Sequence, residues 1–413
     1  MSKVYLVGAG PGDPGLITVK GRELLESADV ILYDHLAPRA LLDLVRPEAE
    51  RIYVGKKKAA HTYSQPEISA LLVERARRGL NVVRLKGGDP LIFGRAAEEL
   101  EALADAGIEF EIVPGVSAPA GAAAYTGVPL THREHASLLT FVTGHDPARI
   151  DWDHAAAAET LVIFMGLSSL RQIFAELLRR GMPSATPALA CRWATRPDQQ
   201  TLTGTLATLP ELVERGGMKP PATIIVGRVV ALRERFNWFE RLPLFGRRIV
   251  VTRAREQAGE FSARLRALGA DVIEFPTIAI RPPLDYAPLD DAIARLETYH
   301  WLVFTSANGV RAFLERLDAS PFDLRRLRAR LCAIGPATAR ALEALHLKVD
   351  LVPRQYVAES LIEAFAGEEL AGRRVLLPRA AVARDLVPAE LRRRGALVDV
   401  VEAYRTEIGR AHV

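Results

Sequence analysis

Short apolar runs alternate with amphipathic stretches over the first 115 or so residues. Apolar runs at residues 4–7 and 30–33 and at Val82-Val83 predict buried strands. Between them, Thr18 predicts the cap of one helix, and Ser64-Gln65-Pro66-Glu67 begins another that runs to about Arg78. Strands that alternate with helices are typical of a largely parallel sheet covered by helices.

The same alternation continues beyond Pro114-Gly115, which we interpret as a hinge between subdomains of about 1–115 and 118–232. Residues 241–246 are predicted to form a linker, and a new strand at 248–253 begins a further α/β region. The predicted fold class is α/β throughout. The predicted strands of the second subdomain are 138–142, 161–164, 188–191 and 223–226.

Two glycine-rich segments follow predicted strands. One is Gly-Ala-Gly-Pro-Gly-Asp-Pro-Gly at 8–15, and the other is Arg-Leu-Lys-Gly-Gly-Asp-Pro-Leu-Ile-Phe-Gly-Arg at 84–95. Loops at the carboxyl ends of strands are where open α/β sheets bind ligands. Gly87 and Gly88 allow a ligand to approach the backbone, and the Asp89 carboxylate suits a hydroxyl or ammonium group.

The first segment also matches the dinucleotide pattern G-x-G-x-x-G over residues 10–15, with Asp34 at the end of the next strand. Pro11 and Pro14 remove backbone donors that a pyrophosphate would need, and the helix begins only at Thr18. We therefore interpret the match as false. An NAD-dependent oxidoreductase stays as an alternative.

Composition narrows the range of partners. The chain has 413 residues, 49% of them hydrophobic, and a net charge of +4, which suits an anionic small molecule. It has no lysine run typical of nucleic-acid binding, no apolar run of membrane-span length and no signal peptide, so we expect a cytoplasmic protein. Cys191 and Cys332 form no zinc or disulfide pattern, so we predict no metal site and two buried thiols.

Motifs spread over residues 1 to about 240 carry a family resemblance. They are Gly-Ala-Gly-Pro-Gly-Asp (8–13), Tyr-Asp (33–34), Val-Gly-Lys (54–56), the 84–95 segment, Val-Pro-Gly-Val-Ser-Ala (113–118), Pro-Leu-Thr-His-Arg (129–133), Met-Gly-Leu (165–167) and Pro-Ala-Thr-Ile-Ile-Val-Gly-Arg-Val-Val (221–230). This region resembles uroporphyrinogen-III C-methyltransferase. The first motif alone would fit the wider tetrapyrrole-methylase superfamily, so another tetrapyrrole methylase is the nearer alternative.

The resemblance implies methylation of two pyrrole carbons of uroporphyrinogen III by S-adenosylmethionine, giving precorrin-2 on the route to sirohaem or cobalamin. It also implies a homodimer formed through this half. Asp34 would be the proton acceptor and Lys56 the proton donor. The alternatives are an Asp34 that caps the next turn and a Lys56 that belongs to a solvated lysine face at 56–58.

The resemblance further implies a set of cofactor contacts. These are Pro11, Gly87, Gly88, Asp89, Ile92, Ser117, Ala118, Met165 and Ala194. Ala194 stands where the family has glycine, so its contact survives only if the backbone φ angle there is negative. Met165 could equally be packing in a core.

Uroporphyrinogen carries eight carboxylates, so its site should present several cations. We expect Arg84, Arg95, His132 and Arg133 in loops around the cleft. For any one arginine, a surface ion pair is the alternative.

Residues 247–406 resemble uroporphyrinogen-III synthase, which converts hydroxymethylbilane to uroporphyrinogen III. The motifs are Val-Thr-Arg (251–253), Thr-Ser-Ala-Asn-Gly-Val (305–310), Ile-Gly-Pro-Ala-Thr (334–338), Tyr-Val-Ala-Glu-Ser-Leu (356–361), Leu-Pro-Arg (377–379) and Tyr-Arg-Thr (404–406). The resemblance implies substrate contacts by Thr252, Arg253, Thr305, Ser306 and Thr338. Tyr404 would assist departure of the hydroxyl, or else be an amphipathic core residue.

In that family the chain returns to its first domain after this point. We therefore expect an incomplete, inactive synthase and a non-native tail at 407–413. A synthase half that serves only as a regulatory or interaction surface is the remaining alternative.

Overall fold

The computed structural model describes residues 3–55 and 63–408, without the side chains of 255–257. The chain divides into two compact units. The first extends to Ile249 and includes Ala263–Val272, and the second consists of Val250–Ser262 and the chain from Ile273 onward. The unit border therefore falls a few residues after the predicted linker at 241–246.

A five-stranded sheet opens the first unit. Its strands are β1 (Val4–Gly8), β2 (Val30–Tyr33), β3 (Glu50–Tyr53), β4 (Val82–Lys86) and β5 (Phe110–Val113). They lie in the order β3-β2-β4-β1-β5, and every neighbouring pair is parallel, as predicted. The connecting helices are α1 (Val19–Ser27), α2 (Arg39–Leu42), α3 (Gln65–Arg77) and α4 (Ala96–Asp105).

Helix caps lie where the sequence predicts them. The Thr18 hydroxyl accepts a hydrogen bond from the Gly21 amide at 3.1 Å. Ser64 and Glu67 form a capping box at the start of α3. Each face of the sheet has its own apolar core. Leu6, Leu32 and Val82 pack under α3 and α4, and Val7, Ile31 and Val83 pack against α1 and α2.

The second subdomain begins with α5 (Ala118–Thr126) and builds a mixed sheet. Its strands are β6 (Leu139–Thr143), β7 (Thr160–Phe164), β8 (Pro187–Arg192), β9 (Gln200–Thr205) and β10 (Ala222–Gly227). They lie in the order β6-β7-β10-β8-β9, with only the β6–β7 pair parallel. The sequence missed β9. The helices are α6 (Trp152–Ala157), α7 (Leu170–Arg179), α8 (Leu209–Arg215) and α9 (Arg233–Phe236).

The remaining strands form a two-stranded and a five-stranded sheet. They are β11 (Arg248–Val251), β12 (Asp271–Glu274), β13 (Ile278–Arg281), β14 (Trp301–Phe304), β15 (Arg330–Ala333), β16 (Arg374–Ala380) and β17 (Leu397–Ile408). β11 pairs with β12, and the larger sheet has the order β13-β17-β16-β14-β15. The helices are α10 (Arg255–Ala267), α11 (Ala287–Ala294), α12 (Ala307–Asp318), α13 (Pro336–Glu343), α14 (Ala358–Ala364) and α15 (Leu386–Arg393).

Strand β17 is long and serves two partners. Its first part pairs in parallel with β16, and its last part, Arg405 to Ile408, pairs antiparallel with β13. Glu407 and Ile408, which we assigned to the tail, therefore continue the sheet.

Both cysteines are buried and free, as predicted, and burial raises the pKa of each thiol to about 12. Among residues 3–55 and 63–408, no helix is long and apolar enough to cross a bilayer, and no cluster of side chains could hold a metal ion.

Candidate active site

The loops after β1 and β4 are joined backbone to backbone. The Gly88 amide donates to the Gly10 carbonyl at 2.8 Å, and the Gly10 amide donates to the Gly88 carbonyl at 3.2 Å. Both glycines have positive φ angles, 75° for Gly10 and 66° for Gly88, a backbone conformation that residues with side chains rarely adopt. A Cβ on Gly87 would lie 2.5 Å from the Leu36 Cβ, so the Gly87-Gly88 turn also packs against the loop after β2.

Asp89 holds this turn to the loop after β5. Its Oδ1 accepts from the Leu91 amide at 2.8 Å, and its Oδ2 accepts from the Gly115 amide at 3.0 Å. The carboxylate thus organises the backbone next to Ser117 and Ala118, at the start of α5. We predicted a carboxylate that faces a ligand, and both of its oxygens are engaged with the chain itself.

Pro11 lies between the two subdomains. A Cβ on Gly121 of α5 would be 2.5 Å from the Pro11 Cγ, so only glycine permits this approach. Next to it, the Asp13 amide donates to the Thr195 hydroxyl at 2.8 Å, and the Tyr125 hydroxyl donates to Asp13 Oδ2 at 2.6 Å. Burial, and then the hydrogen bond to Asp13, raise the pKa of Tyr125. These contacts fix the first loop against the second subdomain.

Met165 and Ala194 lie at the same end of the second sheet, after β7 and β8. Met165 is 51% exposed and has a φ angle of 51°, so the alternative of a core-packing methionine is wrong. Positive φ angles occur at Trp193 and Thr195 but not at Ala194, so alanine meets the conformational condition that we set for a backbone contact at this position. Ile92 lies half-buried in the loop after β4, beside Phe93, whose ring packs on Phe164 with centroids 4.8 Å apart.

Asp34 follows β2 at the carboxyl edge of the first sheet. Its Oδ1 accepts from the Leu36 amide at 2.9 Å, so it does cap the next turn. Its Oδ2 lies 3.4 Å from a terminal guanidinium nitrogen of Arg84. The carboxylate is therefore both anchored to the backbone and placed next to a cation.

Arg84 differs from expectation. It lies within β4 rather than in a loop, is 4% exposed, and donates to Glu99 Oε1 at 3.1 Å. Glu99, on α4, is fully buried and also accepts from Lys86 at 2.9 Å. Burial, and then the neighbouring charge of Arg84, lower the pKa of Lys86. A direct contact between Arg84 and substrate carboxylates is thus a wrong prediction, because its guanidinium is enclosed and already paired.

The other predicted cations are scattered. Arg95 caps α4 in the loop after β4, exposed and paired with Glu98 at 2.7 Å. His132 and Arg133 lie in a turn that leads to the amino end of β6, where Glu159 accepts from the Ser137 amide. This is the opposite end of the sheet from Met165, and Arg84 lies within a strand, so the expectation that all four cations lie in loops around one cleft is wrong. Lys56 lies outside the described residues.

The second unit brings some predicted synthase residues together. The hydroxyls of Ser306 and Tyr404 are 3.0 Å apart, next to Thr305 at the end of β14, and Ser306 also caps α12. Thr338, which we expected to line the cleft, is 3% exposed in the first turn of α13. That prediction is wrong because the residue is almost completely buried.

Thr252 and Arg253 follow β11 of the separate two-stranded sheet. The Thr252 carbonyl accepts from Thr277, and the Arg253 guanidinium lies over the Phe261 ring.

Comparison with known proteins follows the two halves. The family model of the tetrapyrrole (corrin/porphyrin) methylases matches residues 3–210, and that of uroporphyrinogen-III synthase HemD matches residues 259–412. The chain belongs to the tetrapyrrole methylases. It is a methyltransferase whose second half matches the synthase family.

Two relatives extend across both halves. One is a porphyrin biosynthesis protein HemD of Ruminiclostridium josui, 39% identical over 98% of this chain and 81% of the relative. The other is a uroporphyrinogen-III C-methyltransferase of Bacillus subtilis, 40% identical over 82% of this chain and 71% of the relative. The crystal structure of the uroporphyrin-III C-methyltransferase from Thermus thermophilus is similar to the methylase half. It has a TM-score of 0.50 and 40% identity, and the match covers 57% of this chain and 97% of that one.

Sequence reasoning missed Glu99, Asp13 and Tyr125. For Glu99 a signal was present, because Ala96, Glu99 and Leu103 are spaced along one buried face of α4. A carboxylate within an apolar helix stripe indicates a buried partner. The contact of Tyr125 with Asp13 joins residues 112 positions apart, and local pattern carries no trace of it.

Proposed function

We propose that this chain transfers methyl groups from S-adenosylmethionine to uroporphyrinogen III, forming precorrin-2. The observation that supports it most is the edge of the first sheet. There the Asp34 carboxylate lies 3.4 Å from Arg84, and the Gly87-Gly88 turn that packs against the loop after Asp34 is joined to the first glycine-rich loop through Gly10. The Bacillus subtilis relative is named for this activity, and the match covers 71% of its length.

The residues near the turn fit S-adenosylmethionine. Gly88 adopts a φ angle of 66°, and a Cβ there would lie 3.4 Å from the Ala118 amide, so the turn after β4 and the start of α5, which carry several of the proposed cofactor contacts, lie side by side. An exposed thioether at Met165 suits an adenine face. Backbone groups near Gly87, Gly88, Ser117 and Ala118 suit the polar atoms of the cofactor, and Pro11 borders the same loops.

When bound, S-adenosylmethionine supplies an electrophilic methyl group on a sulfonium. The chain then has to align that methyl with an electron-rich pyrrole carbon, which is a task of orientation. It also has to accept the proton that the methylated macrocycle releases. Asp34 is the proposed acceptor, because its carboxylate lies at the strand edge and keeps 21% of its side chain exposed. Lys56 is proposed as the proton donor from the resemblance alone.

The full chain provides the first experiment. S-adenosylhomocysteine and NAD are titrated separately by calorimetry. We expect binding of S-adenosylhomocysteine and no heat from NAD, because the loop has Pro11 and Pro14 where a pyrophosphate needs amides. Binding of NAD alone would favour the oxidoreductase alternative. Activity with another tetrapyrrole and none with uroporphyrinogen III would identify a different methylase.

For the second half we propose the synthase reaction site around Ser306 and Tyr404, whose hydroxyls are in contact. We also propose, on the resemblance, a homodimer through the methylase half and a cytoplasmic location. Sedimentation of the full chain tests the dimer.

A further inference from the structure

Four charged side chains alternate in sign beneath the proposed proton acceptor. Asp34, Arg84, Glu99 and Lys86 follow one another through contacts of 3.4, 3.1 and 2.9 Å. Arg84, Lys86 and Glu99 are at most 4% exposed. The Gln65 side-chain amide also donates to Glu99, at 3.1 Å. Of these four side chains, Asp34 is the one with appreciable exposure, 21%, at the carboxyl edge of the sheet.

Such an arrangement is costly for a fold. Removing an ion from water costs several kcal/mol, and a buried ion pair is often no more stabilising than apolar residues of the same volume. Val82 precedes Arg84 on the same face of β4 and packs in the apolar core there. Apolar residues could therefore have continued this face. The network needs a different explanation from stability.

The geometry of Arg84 supplies one. Its Nε donates to Glu99, one terminal nitrogen donates to the Leu85 carbonyl at 2.9 Å, and the other faces Asp34. Each of the three guanidinium nitrogens therefore faces a partner, which fixes the plane of the group in one orientation. Because the Leu36 amide fixes the other carboxylate oxygen, Asp34 is held from both sides.

We propose that Arg84 is a positioning residue for the reaction: it holds the Asp34 carboxylate in one orientation, and Glu99 holds Arg84. The inference rests on the proposed methylation, in which Asp34 accepts the proton. Arg84 is 4% exposed and bonded to Glu99 and the Leu85 carbonyl, so its proposed role is exerted through Asp34. Among the described residues of the neighbouring strands, the charged groups that face Asp34 are Arg84 and Lys86 of β4. Tyr53 of β3 adds a phenol whose pKa is raised by burial and then by Asp34.

The test is Arg84→Lys in the full chain. Lysine keeps the positive charge, but its ammonium is one compact group and not a planar fork. It therefore cannot bridge Glu99 and Asp34 in a fixed plane. We expect kcat for methylation to fall about 10- to 100-fold, as misplacement of a reacting group does. We expect KM for uroporphyrinogen III and the Kd of S-adenosylhomocysteine to stay within about twofold. The reason is that the variant changes no group that binds either molecule in the ground state.

Arg75→Lys is the matched control. Arg75 on α3 likewise bridges two carboxylates, Glu50 and Glu74, and its side chain is 15% exposed, but it lies away from the cleft. It should leave all three quantities unchanged. An unchanged kcat in Arg84→Lys overturns the proposal. So does a loss of kcat in a folded variant that is accompanied by an equal loss of cofactor affinity, since that is general damage to the site.

Glu99→Gln decides the question if Arg84→Lys fails to fold. It keeps the shape and removes the charge that holds Arg84, so kcat should again fall with KM and Kd unchanged. Unchanged kcat would contradict the proposal. If the wild-type chain itself neither binds S-adenosylhomocysteine nor methylates uroporphyrinogen III, the proposed function fails instead, and the two failures are distinct.

Discussion

Strand register decides which side chains meet at the edge of the first sheet. Leu32 pairs with Arg84 and Tyr33 with Leu85, so Asp34 emerges next to the carboxyl end of β4. The sequence predicted Asp34 and the Gly-Gly turn at strand ends, because apolar runs followed by glycine mark such edges. It could not predict that Arg84 is buried. That depends on Glu99, 15 positions away on α4, which supplies the partner only after folding.

Loss of the Asp89 side chain should weaken cofactor binding. Asp89→Ala removes the acceptor for the Leu91 and Gly115 amides and so loosens the loops around the proposed site. Hydrogen bonds to charged groups contribute about 1.5–3 kcal/mol, so we expect the Kd of S-adenosylhomocysteine to rise about tenfold or more. Calorimetric titration measures it. Asp146→Ala is the control, since that carboxylate caps a short turn elsewhere. Equal affinity in the wild type and Asp89→Ala would refute this role.

A second residue-scale prediction concerns pH. Tyr299 is 3% exposed, and its hydroxyl donates to Asp399 at 2.6 Å. Burial, and then that hydrogen bond, raise the pKa of Tyr299 to about 12. The stability that follows is complete below the unfolded pKa of about 10 and is lost as the pH rises toward 12.

Tyr299→Phe should therefore lower the free energy of unfolding by about 1–3 kcal/mol near neutral pH, and by less above pH 10. Denaturant unfolding at several pH values measures the difference. Tyr356→Phe, at a residue that is 60% exposed, should have almost no effect. A Tyr299→Phe difference that grows above pH 10 would show that folding does not raise the pKa of Tyr299.

At the scale of elements, the contact of α5 with the first loop joins the two subdomains.

Helices and inner strands were predictable, because capping residues and apolar runs are local signals. β9 was missed because Gln200–Thr205 is rich in threonine and lies at a sheet edge, with no apolar run. The antiparallel pairing of β8 and β10 could not be predicted from the sequence either, because apolar runs do not reveal strand direction.

Gly121→Ala tests that contact. The new Cβ would lie 2.5 Å from Pro11, so either the helix or the loop has to move. Overpacking of this kind costs about 1–3 kcal/mol, and the displaced loop should also weaken binding of S-adenosylhomocysteine. Gly367→Ala is the control, because a Cβ there has open space. Thermal unfolding and calorimetry would reveal both losses. Wild-type behaviour of Gly121→Ala in both would mean that the approach of α5 to Pro11 is not constrained.

At the scale of the whole molecule, two α/β units follow one another, and their order was predictable from the restart of strand patterns near residue 248. The assignment of Ala263–Val272 to the first unit was not, because it depends on tertiary contacts. The family of each half was evident from motifs. The accessibility of individual residues was not, as burial of Thr338 shows.

That burial bears on the synthase reaction. Of the predicted synthase residues, Ser306 and Tyr404 are in contact, whereas Thr338 is enclosed and Thr252 and Arg253 belong to a separate small sheet. We predict that the chain converts hydroxymethylbilane to uroporphyrinogen III poorly. Separation of the products should show mainly isomer I, which forms spontaneously. Efficient formation of isomer III would show that these residues suffice.

Methylation itself tests the proposed function most directly. The full chain is supplied with S-adenosylmethionine and uroporphyrinogen III, and the tetrapyrrole product is identified by mass and absorption. We expect addition of two methyl groups to give precorrin-2, and loss of that product in Asp34→Asn, whose amide cannot accept the proton. An unmethylated substrate, in a chain that binds S-adenosylhomocysteine, would contradict the proposed function.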